Sequence, residues 1–237
     1  MCLRSLKMGR IVDLSHELHP GDESSELYIK THFVEEIFPR YMRGKDQWYI
    51  IQRVSFLDHI GTHVESPLHY VKNGRDVSEI PLDQLIGETV IFDFTHKKPN
   101  EEIGIDDFVV SGKEIKQGDM VFINTGQGNY TSLRTEYQHP YLSSEAVKWL
   151  VAKGISCLGI DSSGIENKRT SSNAQPNHQI LFTNGIPLIE QLTNLDKLKT
   201  DRVLVFVLPL KIRGLDACPV RVVAIEQPSL PDKNLGA

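Results

Sequence analysis

Eight short apolar, β-branched runs recur along this chain, and they limit its fold more than any other feature. They are Ile11–Leu14, Tyr28–Val34, Trp48–Phe56, Thr89–Phe94, Met120–Asn124, Cys157–Ile160, Val203–Leu208 and Val220–Ile225. Each reads as a strand, because branched and aromatic side chains fit a pleated, half-buried surface. Several are apolar throughout, as strands buried on both faces are. Helix signals are fewer. Ser143–Lys153 is the clearest: Ser143 or Ser144 caps it, Glu145 sits in the first turn, and Ala146, Val147, Leu150 and Val151 form a buried stripe before Gly154 ends it. A second helix starts at Pro176 or Asn177, carries His178, Ile180, Leu181 and Phe182, and closes at Asn184-Gly185. Leu82–Leu85 and Asp106–Val110 read as short helices. Glu166–Pro176 is polar and Ser-rich, a loop with room to move.

The length, 237 residues, fits a single α/β domain spanning 1–237 better than two small ones, with residues 1–9 and 228–237 as peripheral tails. A net charge of −5, without a run of Lys and Arg able to track phosphates, argues against a nucleic-acid partner. No run approaches a membrane span, and the opening Met1–Lys7 has no apolar stretch behind its cations, so neither a membrane partner nor a secretory signal is expected. Three cysteines, Cys2, Cys157 and Cys218, share no close spacing. Such a sparse, odd set suits a reducing, cytoplasmic setting. Cys157 lies in an apolar run and reads as a core residue.

Chemistry concentrates in residues 59–69, His-Ile-Gly-Thr-His-Val-Glu-Ser-Pro-Leu-His. Imidazole and carboxylate together are the ligand set of a divalent metal that activates water. Gly61 and Pro67 oppose a regular helix. A strand running into a tight loop fits better. There His63 and Glu65 point the same way if the backbone is extended, and Gly61 lets His59 swing round to join them. Taken singly, each histidine reads more readily as a loop residue bonded to backbone; the set with its Gly-Thr and Pro does not. His59, His63 and Glu65 alone would form a three-ligand site with open positions, enough to activate water. His178 and Glu190 flank the turn Asn184-Gly185-Ile186-Pro187, which can bring both to one side. On their own they suit a solvated surface as well as a site.

The loop resembles the signature of a cyclase family that includes bacterial kynurenine formamidases and isatin hydrolases, His-x-Gly-Thr-His-x-Asp-x-Pro-x-His. The chain matches at His59, Gly61, Thr62, His63, Pro67 and His69, and departs at Glu65. Ile11–Ser15, Leu142–Leu150 with Leu158–Ser162, Leu208–Leu210 and Gly214–Arg221 are similar to further parts of the family pattern, with Ala217-Cys218 where Gly-Ser is more usual. The spacing of His178 and Glu190 fits the family's second ligand pair.

The resemblance implies an α/β domain with a mixed, barrel-like sheet flanked by helices, assembling as a homodimer or homotetramer. It implies a metal-dependent hydrolase of an amide, lactam or ester bond in a small cyclic or aromatic-acid substrate. His59, His63 and Glu65 would hold one metal, Glu65 and Glu190 would bridge to a second, and His178 would bind that second ion alone. The ion is zinc in the formamidases and manganese in the isatin hydrolases, so one or two ions of either are expected. His69 would be the acid–base, beside the metal without binding it; a histidine titrates close to neutral pH and suits that role. A lyase or dehydratase, and a binding protein that keeps the fold without turnover, are the rival readings. Two departures bear on this. Glu65 is one methylene longer than Asp, which favours a single fully occupied metal. Where the formamidases carry a substrate-contacting Trp before Pro-Gly-Asp, this chain has His19, a smaller candidate for substrate binding. The insert Phe38–Gln47, with Arg43, is then a candidate cover for the pocket.

Overall fold

The computed structural model describes residues 9–21, 26–128, 138–167 and 176–226. In chain order its strands are β1 (Arg10–Asp13), β2 (Tyr28–Phe33), β3 (Ile50–Ser55), β4 (His63–Glu65), β5 (Ile86–Asp93), β6 (Glu102–Ile103), β7 (Met120–Asn124), β8 (Tyr141–Leu142), β9 (Cys157–Ile160), β10 (Leu188–Glu190), β11 (Arg202–Pro209) and β12 (Ala217–Glu226). The helices are α1 (Val34–Ile37), α2 (Ile105–Val110), α3 (Ser144–Ala152) and α4 (Pro176–Thr183).

The main sheet runs β12-β11-β5-β7-β9-β10-β4 and closes where β4 pairs back onto β12; β1 adds outside β12. The result is a closed, mixed barrel. β5, β7, β9 and β10 run parallel, and the remaining joins are antiparallel. One apolar cluster draws Val64, Ile91, Phe122, Cys157, Ile189, Val205 and Val222 from all seven barrel strands, which places it inside the barrel. A second cluster joins Phe92, Val121, Ile123, Leu158 and Leu188 to Phe108, Ala146, Leu150, Leu181 and Phe182 from α2, α3 and α4, and fills the space under the helices. β7 and β9 are buried on both faces, which accounts for their unbroken apolar runs.

The expected elements form, with ends shifted by a few residues. The Ser143 side chain caps α3 by accepting the Ala146 N–H. Val34 opens the short helix α1 instead of ending a strand. The Leu82 segment is a single 3₁₀ turn, Leu82–Gln84. β2 and β3 pair with each other as a separate two-stranded sheet. The insert after α1 packs on this arm: Arg43 bonds Glu35 at 2.7 Å, and its guanidinium lies 3.5 Å from the centre of the Phe33 ring. Phe38, Tyr41 and Met42 are exposed, and no residue of the insert, expected as a cover, lines the cavity beside Glu65 and His178. Most of the Glu166–Pro176 loop and the tail from Pro228 lie outside the described residues. No described helix is long and apolar enough to cross a membrane.

Candidate metal centre

The site forms on the outer wall of the barrel, and the period-two alternation of two short strands puts it there. Val64 and Ile189 point inward, so His63, Glu65 and Glu190 point outward. β10 and β4 pair antiparallel with Glu190 opposite His63 and Leu188 opposite Glu65. On the other flank β12 sets Ala217 opposite Glu65 and Pro219 opposite His63. A buried alanine beside Glu65 leaves room for the long carboxylate.

The Gly-Thr pair brings His59 to this wall. Gly61 has φ +55°, a left-handed turn, and a Cβ there would strike the Leu18 side chain. Thr62 ties three segments together. Its hydroxyl donates to the Gln191 carbonyl at 2.6 Å and accepts the His16 N–H at 2.9 Å, and its carbonyl accepts the Val220 N–H at 2.9 Å. Pro67 then opens a 3₁₀ turn that ends on His69. From the other side, α4 presents His178.

Three of the imidazoles are anchored through Nδ1 to a group that can only accept. His59 donates to Asp58 at 3.0 Å, His63 to the Gly61 carbonyl at 2.8 Å and His178 to Glu166 at 3.0 Å. Each Nδ1 therefore carries a proton, and each Nε2 is turned towards the carboxylates. Glu166 also accepts the Asn177 and His178 backbone N–H groups, so one carboxylate both starts α4 and aims its histidine.

The inward atoms converge. Glu65 Oε1 lies 3.3 Å from His59 Nε2, 3.6 Å from His63 Nε2 and 3.9 Å from His69 Nε2, while Oε2 lies 3.5 Å from His178 Nε2. Glu190 stands 3.9 Å from His63 Nε2 and 3.4 Å from His178 Nε2. Ligands about 2.0–2.2 Å from a tetrahedral ion stand roughly 3.3–3.6 Å apart, so these separations suit a shared cation. His59 Nε2, His63 Nε2 and Glu65 Oε2 are buried without a hydrogen-bond partner. Buried polar atoms are rarely left so, and a divalent cation satisfies all three. The donor set fits such an ion.

Charge points the same way. Burial disfavours a charged His59 ring, but Glu65 and Asp58 outweigh it and hold its pKa up to about 9. Burial likewise opposes charge on His178, yet Glu166 and Glu190 raise its pKa to about 10. His63 is raised in the same manner, against burial, by Glu65 and Glu190. Burial would raise the Glu65 carboxyl, but the surrounding imidazoles hold it well below the usual carboxylate range. Without a metal the centre is a trap for positive charge that protons fill.

All six residues expected at the centre from sequence, His59, His63, Glu65, His69, His178 and Glu190, meet here. Glu65, His69, His178, Glu190 and Glu166 line a cavity of about 180 Å³ that Ser163 and Gly164 complete. Tyr70 stacks on His178 with ring centres 5.4 Å apart. His19 is exposed and outside that wall. Sequence reasoning did not single out Asp58, Glu166 or Asp216 as partners of the histidines; only Asp58, adjacent to His59, carried a local signal.

A closed mixed barrel with a buried histidine–carboxylate centre on its wall is the architecture of a metal-dependent hydrolytic enzyme. The chain belongs to the Putative cyclase family, whose profile matches residues 12–167, more than half its length. A kynurenine formamidase of Erythrobacter litoralis (strain HTCC2594) is 28% identical over 222 residues, spanning 92% of this chain and 95% of the relative. The solved structure of a predicted metal-dependent hydrolase from Bacillus stearothermophilus superposes with a TM-score of 0.70 at 28% identity, covering 91% of this chain and 98% of that one. Isatin hydrolase A of Labrenzia aggregata, bound to benzyl benzoate, shares the fold with a TM-score of 0.75 at 21% identity, over 92% and 94% of the two chains.

Proposed function

We propose that this protein hydrolyses an amide, lactam or ester bond in a small cyclic or aromatic-acid substrate, with His59, His63, Glu65, His178 and Glu190 as metal ligands and His69 as acid–base. The observation that carries the reading is the convergence of buried, unpartnered imidazole and carboxylate atoms beside a small cavity. A divalent cation, zinc or manganese, supplies an acidified water and a polarised carbonyl when bound.

The chain's own groups do the rest. The buried ligands are aimed before the ion arrives, through Asp58, Gly61 and Glu166. His69 is not deeply buried, and its Nε2 faces Glu65 at 3.9 Å, at the edge of the cavity. It takes a proton from the attacking water at Nε2 and returns it to the leaving nitrogen or oxygen as the bond to the carbonyl carbon breaks. Glu65 Oε1 lies within 3.6 Å of both His59 Nε2 and His63 Nε2, which favours one tightly held ion shared by these three ligands.

The experiment is turnover of aryl formamides and isatin by metal-loaded protein, with His69→Ala alongside. The variant should keep its metal and lose roughly a hundredfold or more in kcat. No hydrolysis by the unmodified protein, or loss of metal from His69→Ala, would contradict the reading.

A further inference from the structure

A proton carrier must present the correct nitrogen to the reacting atoms, and something must decide which nitrogen that is. For His69 the neighbour is Asp216, distant in sequence. His69 Nδ1 lies 2.7 Å from Asp216 Oδ2. The backbone of Asp216 is pinned where the barrel closes: its carbonyl accepts the Ser66 N–H at 2.8 Å and the Ser66 hydroxyl at 2.9 Å. The next residue, Ala217, is in register with Glu65. One end of β12 therefore fixes the carboxylate relative to both Glu65 and His69.

We propose that Asp216 is the positioning residue for His69: it accepts the Nδ1–H, and so leaves Nε2 as the nitrogen that faces Glu65 and the cavity. What that nitrogen is used for rests on the hydrolase reading above. As oxygen bonds to the carbonyl carbon, Nε2 takes the water's proton, and the ring becomes cationic beside a carboxylate that stays ionised. As the bond to the leaving nitrogen breaks, that proton moves from Nε2 to the departing amine. The Nδ1 proton stays in place throughout.

Asp216 has a competing role. Its ligand atoms, with those of Asp58 and His59, lie within 4.8 Å of one another, as in a metal group. Asp216 Oδ2, however, is 2.7 Å from His69 Nδ1 and 3.9 Å from His59 Nε2. The short contact commits it to His69.

Asp216→Asn keeps size and backbone contacts while removing the charge, and Asp216→Glu keeps the charge. Elemental analysis should show unchanged metal content in both. With formanilide, whose leaving amine needs a proton, Asp216→Asn should lose roughly tenfold to a hundredfold in kcat at unchanged KM, the usual size for a residue that orients a site histidine. With 4-nitrophenyl acetate, whose phenolate leaves unprotonated, Nε2 is needed only for the water's proton, so the loss should be smaller than with formanilide. Asp216→Glu should recover part of the loss. Nitrogen NMR of the zinc-loaded protein should show His69 protonated at Nδ1 in the unmodified protein, and a mixture of tautomers in Asp216→Asn. Loss of metal would make Asp216 a ligand, and an unchanged tautomer, with or without a loss of activity, would overturn the proposal. The tautomer measurement needs no turnover, so it decides on Asp216 even if neither substrate is hydrolysed. If Asp216→Asn does not fold, the tautomer in Asp216→Glu decides: Nδ1 protonation retained supports the proposal, and its loss overturns it.

Discussion

Inside the barrel, Val64 and Ile189 lie among apolar side chains from every strand of the wall; one residue away along the same strands, His63 and Glu190 face each other across a polar centre. The strands are identical, so the backbone is not what separates the two regions. The inner face is held by burial alone, needs no ion, and is satisfied as it stands. The outer face has unpartnered buried nitrogens and a carboxylate oxygen, and is completed only by added charge. One face supplies stability, and the other draws on it to keep ligands aimed.

That contrast breaks if the two faces respond alike to substitution. Val64→Ala removes buried methyl groups and should cost about 2 kcal/mol from lost transfer energy and the cavity left behind. For a chain of this size that lowers the melting temperature by about 4–8 °C. The loss should be the same with chelator or with zinc present, and differential scanning calorimetry reads it. A loss seen only in the metal-loaded protein would tie the inner face to the ion.

A smaller effect, in pH, sharpens the outer face. His59 ordinarily titrates near 6.5 but is held up to about 9 in the metal-free protein, and His178 up to about 10. A raised pKa stabilises the folded state fully below the unfolded value, and that contribution fades as pH rises through the folded value. Chelated protein should therefore lose melting temperature between pH 6.5 and 10. A metal competes with these same protons, so its stabilisation should grow over that window. The gap between zinc-loaded and chelated melting temperatures, measured at pH 6.5 and pH 9, should widen by a few degrees, at roughly 2–4 °C for each 1 kcal/mol. A constant gap would mean the histidines are not the groups in competition.

Much of this was legible in the sequence, for physical reasons that differ by region. β7 and β9 stand where their apolar runs place them, because strands buried on both faces have nothing else to encode. The first ligands were legible because His59, His63 and Glu65 come from one continuous loop. β4 and β10 were not read as strands. Each has only three residues, with two ligands on β4 and one on β10, too short to show a period. Glu166 and Asp216 were missed as partners because their roles exist only after folding: Asp216 meets His69 across 147 residues of chain. The insert was expected at the pocket, but Arg43 ties it to Glu35 and Phe33 through contacts that exist only after folding.

The central claim is that the outer face is a metal centre, and His63→Ala tests it most directly. His63 is wholly buried, and its Nε2 has no hydrogen-bond partner. The measurement is metal content together with melting temperature, after dialysis against a strong chelator and again after zinc is returned. A ligand bound at a hundred times its Kd stabilises by about 2.7 kcal/mol, so the unmodified protein should lose and regain several degrees. His63→Ala should hold little metal and respond to neither treatment. Metal content and chelator response equal to those of the unmodified protein would contradict the claim.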